Sequence, residues 1–220
     1  MSFPCKTIPL EKAAQQLGCD VKFLRNAATS GEVLFSMNGD RMMFDPADLD
    51  DWYSNLLLRD PARNKTAPQE VRLVELCPAE AVDAHLEGKT KAAVLKNLAA
   101  LCEKTGLLYD AAEFLEELRK REDVASTAMK EGVALVHTQN HDEFLCEREF
   151  IAVARTDSPV FFGNPDGVPT DVFFVIAAQD SNTHISILAQ LCRAIVSTPL
   201  LQNIRNADTP EEIIHALENV

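Results

Sequence analysis

The sequence has little of what membrane, secreted and disulfide-linked proteins need. No apolar run approaches the roughly 18 residues of a membrane span, since the most apolar stretch, Val172 to Ala178, lies between Asp171 and Gln179. The N-terminus has no basic segment followed by a long apolar core, so no secretory signal is predicted. The six cysteines are scattered without a Cys-x-x-Cys pair, which predicts reduced, mostly buried thiols. We therefore expect a soluble, cytoplasmic protein.

Motifs for several common chemistries are also missing. Residues 162–167 contain two glycines but lack a Lys-Ser/Thr ending, so they predict a turn and not a phosphate-binding loop. No Gly-x-Ser-x-Gly occurs, and no cysteine has an evident histidine partner in the sequence. His137 and His141 are spaced like a metal pair, but no third ligand accompanies them and His137 ends a predicted strand. Neither a metal nor a cofactor is predicted.

The acidic charge is concentrated in one part of the chain. The 220 residues predict two domains and carry a net charge of −13. Residues 1–71 hold 8 Lys+Arg against 10 Asp+Glu, and residues 72–220 hold 13 against 24, which together give the totals of 21 and 34. A strongly acidic body repels nucleic acid and favours a basic protein partner.

A polar segment divides the chain. Residues 59–70 contain two prolines and no apolar periodicity, which predicts a linker over residues 59–72 between a unit at 1–58 and a domain at 73–220. In the first unit, apolar spacing predicts two short helices, an Asn-Gly pair predicts a hairpin, and Asp-Pro predicts the start of a last helix. These signals lie at Leu10–Leu17, Asp20–Ala28, Val33–Phe35 with Met42–Phe44, and Asp45-Pro46.

The second part alternates between helical and strand patterns, which predicts an α/β domain with helices layered on a sheet. Capping residues precede three of the helices, and short β-branched or aromatic runs are typical of buried strands. The predicted helices span about 90–102, 110–121, 183–196, 199–206 and from 209, and the predicted strands span 133–137, 150–154 and 172–178.

Two of the five histidines lie at the end of a predicted buried strand or shortly after one. His137 ends the run from Gly132 to Val136, and His184 opens a helix directly after a strand and a polar loop. Strand ends are where α/β folds place catalytic groups, and one imidazole can act as a nucleophile beside another. On position alone we favour the alternative, that both are ordinary polar groups at the ends of buried elements, because short motifs often match by chance.

Two longer motifs favour the catalytic interpretation. Residues 121–137, REDVASTAMKEGVALVH, and residues 171–191, from Asp171 through Thr183-His184-Ile185 to Leu191, resemble the signatures of the fructose/mannitol/nitrogen-regulatory enzyme IIA family of the bacterial phosphotransferase system. The resemblance covers about residues 73–220. It implies a mixed β-sheet sandwiched by helices and a phosphoryl group accepted from HPr or a paralogous phosphocarrier. It also implies a site composed of His137 as nucleophile through Nε2, His184 as the second histidine, and Thr127 and Arg121 as supporting groups.

The sequence departs from the family signature beside the acceptor. Val136 stands where the family has proline, and Ala128 stands where it has glycine. Proline fixes φ and removes a donor, and glycine permits angles that alanine resists, so these changes predict a differently shaped acceptor loop. They leave open the alternative of a catalytically degenerate enzyme IIA sensor fused to a DNA-binding transcriptional regulator.

The N-terminal unit resembles the excisionase/MerR-like winged helix-turn-helix family, with residues 8–14 assigned to its first helix, 21–25 to its recognition helix and 48–52 to its last helix. That resemblance implies DNA binding through the second helix and the wing. The candidate contact residues are Lys22, Arg25, Asn26 and Arg41. Because the unit has no net positive charge, a retained fold used for protein contact is an equal alternative.

The resemblances together predict a histidine phosphocarrier for sugar transport or for regulation. With no permease attached, transport requires a membrane permease or another acceptor in trans. The sugar and the oligomeric state stay open at this point.

Overall fold

The computed structural model describes residues 7–59, 72–139, 145–164 and 166–220. Most of the predicted linker, residues 60–71, and His141 of the candidate metal pair lie outside these ranges. The described part contains a small three-stranded sheet near the N-terminus and a four-stranded sheet in the second part.

The N-terminal unit has two short helices, a hairpin and a longer helix. Its strands are antiparallel, in the order β1-β3-β2. The elements are β1 (Ile8–Pro9), α1 (Leu10–Gln16), α2 (Val21–Thr29), β2 (Ser36–Asn38), β3 (Arg41–Phe44) and α3 (Pro46–Arg59).

Two details of this unit differ from the prediction. Ile8 and Pro9, assigned to the first helix, form a strand instead, because Pro9 has extended backbone at φ −73° and ψ 157° and caps α1. The first hairpin strand is Ser36–Asn38 and not Val33–Phe35, because Ser36–Asn38 pair with β3 although all three residues are exposed. Asn38 pairs with Arg41, so the turn is Gly39-Asp40, with φ +60° at Gly39.

The larger sheet is mixed, as predicted. Its order is β4-β6-β7-β5, with β6 and β7 antiparallel and both edge strands parallel to their neighbours. The two-residue β4 was not predicted, because its pairing with β6 comes from the tertiary structure and not from a local pattern. The strands are β4 (Val82–Asp83), β5 (Val133–His137), β6 (Phe150–Val160) and β7 (Thr170–Ala177).

All five predicted helices of the second part are present. Thr90 and Asp110 accept hydrogen bonds from backbone amides at two helix starts, and Thr209 with Glu212 forms a complete capping box at a third. Two short 3-10 turns precede β4. The helices are α4 (Lys91–Glu103), α5 (Ala111–Val124), α6 (Ser181–Ser197), α7 (Leu200–Asn206) and α8 (Pro210–Glu218).

The sheet separates two apolar layers. Leu135 and Phe174 belong to the cluster that contains the apolar residues of α6, α7 and α8. Their chain neighbours Ala134 and Phe173 belong to the cluster with α4 and α5. This alternation along buried strands gives the predicted sandwich of helices around the sheet. The first cluster also contains the core of the N-terminal unit, so the two parts share continuous apolar packing.

Four of the described cysteines are buried and Cys19 is partly buried, in agreement with the prediction of mostly buried thiols. Burial raises the pKa of Cys77 and of Cys192 to about 12, so both thiols stay protonated near neutral pH and are poor nucleophiles. Within the described ranges, no single helix is long and apolar enough to cross a membrane. Helices α6 and α7 pass that test only as a pair, and the pair is bent by 80°.

Candidate active site

Both candidate histidines lie at one edge of the larger sheet. Strands β5 and β7 are parallel, with His137 opposite Ile176, so both end at this edge. Helix α6 begins shortly after β7, and Asp180 caps it by accepting hydrogen bonds from the Asn182 and Thr183 amides. His184 therefore lies in the first turn of α6, above the end of β5. The ring centroids of His137 and His184 are 4.7 Å apart.

The backbone defines the tautomer of His137. Nδ1 lies 2.7 Å from the carbonyl oxygen of Leu135. A carbonyl only accepts, so Nδ1 carries the proton. Nε2 then bears the ring's lone pair, with which it accepts a 3.2 Å hydrogen bond from Nε of Arg121. The ring is a neutral imidazole with its nucleophilic nitrogen facing a cation.

Arg121 links the site to two other segments. Its Nη1 donates to the carbonyl oxygen of Ala125 at 2.7 Å, and its Nη2 donates to Oδ1 of Asn55 at 3.3 Å. The side chain is fully buried near the end of α5. A buried guanidinium with three directed hydrogen bonds is a preorganised binding group for an anion.

Thr127 lies close to the site but contacts other groups. Its hydroxyl and its amide both donate to Oε1 of Glu122. Lys91 pairs with Oε2 of Glu122 at 2.8 Å. The Thr127 carbonyl accepts from the amide of Leu135 at 3.2 Å, which fixes residues 127–129 alongside β5. The structure thus brings His137, His184 and Arg121 together, whereas Thr127 supports the segment beside them.

The residues that differ from the family signature fit the backbone without strain. Val136 is buried in β5, in register with Val175, so the strand continues without interruption into His137. Among the described residues, positive φ angles occur only at glycines, so Ala128 does not need the left-handed region.

The four candidate DNA contacts lie elsewhere, on the surface. Lys22, Arg25 and Asn26 lie on the exposed side of α2, whose other side buries Leu24, and Arg41 is exposed on β3. None of the contacts described for these four residues joins them to the histidines.

Sequence reasoning missed four residues of this region. Glu122 follows Arg121 in the Arg-Glu pair of the first motif, and that pairing was the available signal. Lys91 had no local signal. Ser54 and Asn55 lie on α3, where Ser54 Oγ is 3.4 Å from Nε2 of His184 and Asn55 accepts from Arg121. Their role depends on how the N-terminal unit packs, which no local pattern encodes.

The chain is similar in sequence to known proteins of the phosphotransferase system and to nitrogen regulatory proteins. The fructose-specific EIIABC component of the phosphotransferase system from Bacillus subtilis is 26% identical over 146 residues, which are 66% of this chain but 22% of that protein. A nitrogen regulatory protein from Pseudomonas aeruginosa is 28% identical over 138 residues, which are 62% of this chain and 88% of that protein. The chain therefore spans about a fifth of the first relative and most of the second.

A solved structure shows the same fold. The nitrogen regulatory protein IIA-Ntr from Neisseria meningitidis matches 66% of this chain and 97% of its own, with a TM-score of 0.59 and 24% identity. Residues 75–220 match the family described as "Phosphoenolpyruvate-dependent sugar phosphotransferase system, EIIA 2". Since this match covers more than half of its residues, the chain belongs to the type-2 enzyme IIA family of the phosphotransferase system.

Proposed function

We propose that this protein accepts a phosphoryl group on Nε2 of His137 from HPr or a paralogous phosphocarrier. The observation that carries the proposal is the hydrogen bond from Nδ1 of His137 to the carbonyl of Leu135, because it places the ring proton on Nδ1 and leaves the lone pair on Nε2. Arg121 donates to this nitrogen and the His184 ring lies beside the His137 ring, which supplies polar groups near a phosphoryl anion bound there.

The transfer exchanges one N–P bond for another. The Nε2 lone pair attacks phosphorus, the N–P bond of the carrier's phosphohistidine breaks, and the electron pair of that bond stays with the carrier's imidazole. Throughout the transfer the proton of His137 remains on Nδ1, which continues to donate its hydrogen bond to the Leu135 carbonyl. Arg121 exchanges its contact with Nε2 for contacts with the phosphoryl oxygens, and His184 approaches them from α6, so that charge is stabilised where it develops.

Thr127 acts in this proposal as a positioning residue. Its hydroxyl bonds to Glu122, and Glu122 is neutralised by Lys91. This network fixes the segment that follows α5, including the Ala125 carbonyl that orients Arg121. Preorganisation of this kind lowers the cost of aligning the donors during transfer.

The acceptor after His137 is either a permease serving sugar uptake in trans or a regulatory target. The name of the Pseudomonas aeruginosa relative, a nitrogen regulatory protein most of whose length aligns with this domain, supports regulation. The alternative of a degenerate sensor rested on Val136 and Ala128. The regular backbone at both positions favours a competent site instead.

DNA binding is a second, separate proposal for the N-terminal unit. Its support is the shared exposed side of α2, where Lys22, Arg25 and Asn26 follow helical i, i+3, i+4 spacing. The matched family residues begin at 75, so the family membership does not extend to this unit.

Incubation with phosphoenolpyruvate, enzyme I and HPr, followed by intact mass measurement, tests the main proposal. We expect a gain of one acid-labile phosphoryl group. If no phosphorylated carrier labels the protein, the degenerate-sensor alternative replaces the proposal.

A further inference from the structure

The candidate active site contains two side chains from the N-terminal unit. Helix α3 packs against α6, with Ser54 Oγ 3.4 Å from Nε2 of His184 and Asn55 accepting from Nη2 of Arg121. Both residues lie outside the matched family region, 75–220. Helix α3 therefore covers the site from a part of the chain that the enzyme IIA domain does not include.

This arrangement buries the nucleophile. His137 exposes 1% of its surface, and His184 and Ser54 expose none. Transfer from a phosphohistidine requires the carrier's ring to approach Nε2 nearly in line, with the reacting atoms about 3–3.5 Å apart. A fully buried Nε2 cannot be reached by a ring on another protein. The site in this structure is closed to a macromolecular donor.

Apolar packing holds α3 in place. Leu49, Tyr53 and Leu57, spaced four residues apart, are buried in the same cluster as Leu188 and Leu191 of α6. Two polar contacts between α3 and the site are those of Ser54 with His184 and of Asn55 with Arg121. The contact thus combines apolar packing with two neutral polar side chains, one at His184 and one at Arg121.

A phosphoryl group on His137 would disturb these polar contacts. It would bring a charge of about −1.5 to −2 and three acceptor oxygens into the space beside Nε2. Arg121 would then donate to the phosphoryl oxygens in place of Asn55 and of Nε2. The modified site and the docked helix compete for the same guanidinium.

We propose that α3 occupies the surface through which a phosphocarrier reaches His137, so that carrier docking and α3 docking exclude each other. The competition with a carrier rests on the proposed function, whereas the occupancy of the surface by α3 does not. The N-terminal unit then senses the phosphotransferase system, because it is docked when His137 is unmodified and displaced when a carrier or a phosphoryl group takes its place.

Substitution of Ser54 in the full-length chain tests the occupancy. Ser54→Arg places a bulky cation at buried His184, and this bulk displaces α3. Asp48→Arg, at an exposed position of α3, is the matched control. The readout is the rate of His137 carbethoxylation by diethyl pyrocarbonate, mapped by peptide, with exposed His215 as the internal reference. We expect at least about a tenfold faster reaction in Ser54→Arg and no change in Asp48→Arg.

A milder variant keeps the test informative if Ser54→Arg does not fold. Asn55→Ala removes the acceptor for Arg121 on a helix that tolerates alanine, and a smaller acceleration in the same direction is expected. Circular dichroism shows whether each variant is folded. The proposal that α3 occupies this surface is wrong if His137 of the unsubstituted protein is carbethoxylated as fast as His215. It is also wrong if no folded variant shows faster carbethoxylation of His137.

Phosphoryl uptake from phosphorylated HPr tests the competition separately. A faster initial rate in Ser54→Arg than in Asp48→Arg supports it, and equal rates overturn it. If carbethoxylation is accelerated while no variant accepts a phosphoryl group, the proposed function fails and the occupancy of the surface by α3 stands.

Discussion

At the residue scale, the chemistry depends on which nitrogen of His137 holds the proton. The Leu135 carbonyl keeps it on Nδ1, two residues back along the same strand, so the strand itself sets the tautomer. Arg121 then faces the opposite nitrogen. A single arginine thus connects the nucleophile, the segment after α5 and helix α3, and its planar fork is what makes three directed contacts possible.

We expect Arg121→Lys to slow phosphoryl uptake by about 10²-fold, the scale seen when one preorganised donor is lost. An ammonium is a point charge and cannot reproduce three directed contacts at once. Single-turnover transfer from phosphorylated HPr gives the rate. Arg119→Lys, on the same helix but partly exposed and paired with Glu116, is the control. Equal rates for the two variants would show that the geometry of Arg121 is unimportant.

His85 provides a pH-dependent contribution to stability. Its Nδ1 lies 2.7 Å from the Asp157 carboxylate and its Nε2 lies 3.1 Å from the Asp208 carbonyl. Both partners are acceptors, so the doubly protonated ring is favoured. The hydrogen bond with Asp157, then that with Asp208, raises the pKa of His85 above its usual value, against a smaller opposing effect of Arg155.

The raised pKa determines the sign of the effect. Protonated His85 stabilises the folded protein through these two contacts. This stabilisation is fully present below about pH 6.5, the pKa of His85 in the unfolded chain, and is lost as the pH rises through the higher pKa that His85 has in the folded protein. His85→Ala should therefore lower the free energy of unfolding by more at about pH 5.5 than at about pH 9. Urea denaturation at both pH values measures this difference. Asp157→Asn should reduce the same pH dependence, and an equal cost at both pH values would contradict the assignment.

At the scale of elements, the strand predicted with its observed bounds is one in which every consecutive residue is buried. β5 was predicted with its observed bounds because all five of its residues are buried. β1 and β4 were missed because each has two residues and exists only through its partner strand. β6 extends beyond Ala154 into polar residues that carry no apolar pattern. The pairing of His137 with His184 followed from the motifs, whereas the contacts of Ser54 and Asn55 required the packing of α3 on α6.

The exposed side of α2 gives a prediction for the N-terminal unit. If it contacts DNA, Lys22→Ala with Arg25→Ala should weaken binding and reduce the salt dependence by about one unit of slope for each lost phosphate contact. Fluorescence anisotropy across a salt series measures both quantities. Lys12→Ala, exposed on α1, is the control. Absence of binding by the unsubstituted protein at low salt would favour a protein-contact role.

At the scale of the whole molecule, an acidic enzyme IIA domain carries a small unit that reaches back to its site. Residues 72–220 have 11 more acidic than basic residues, 24 against 13. This charge suits a basic phosphocarrier and adds a field that opposes a dianionic product. Arg121, held at the nucleophile, is the local cation that offsets that field.

Mapping of the phosphorylated histidine in three variants tests the central claim most directly. After treatment with phosphoenolpyruvate, enzyme I and HPr, the unsubstituted protein should carry one acid-labile phosphoryl group on the peptide containing His137. His137→Ala should carry none, and His184→Ala should be labelled about 10²-fold more slowly because one preorganised group is lost. His215→Ala, a change at an exposed histidine, should be labelled normally. Undiminished labelling of His137→Ala would contradict the account.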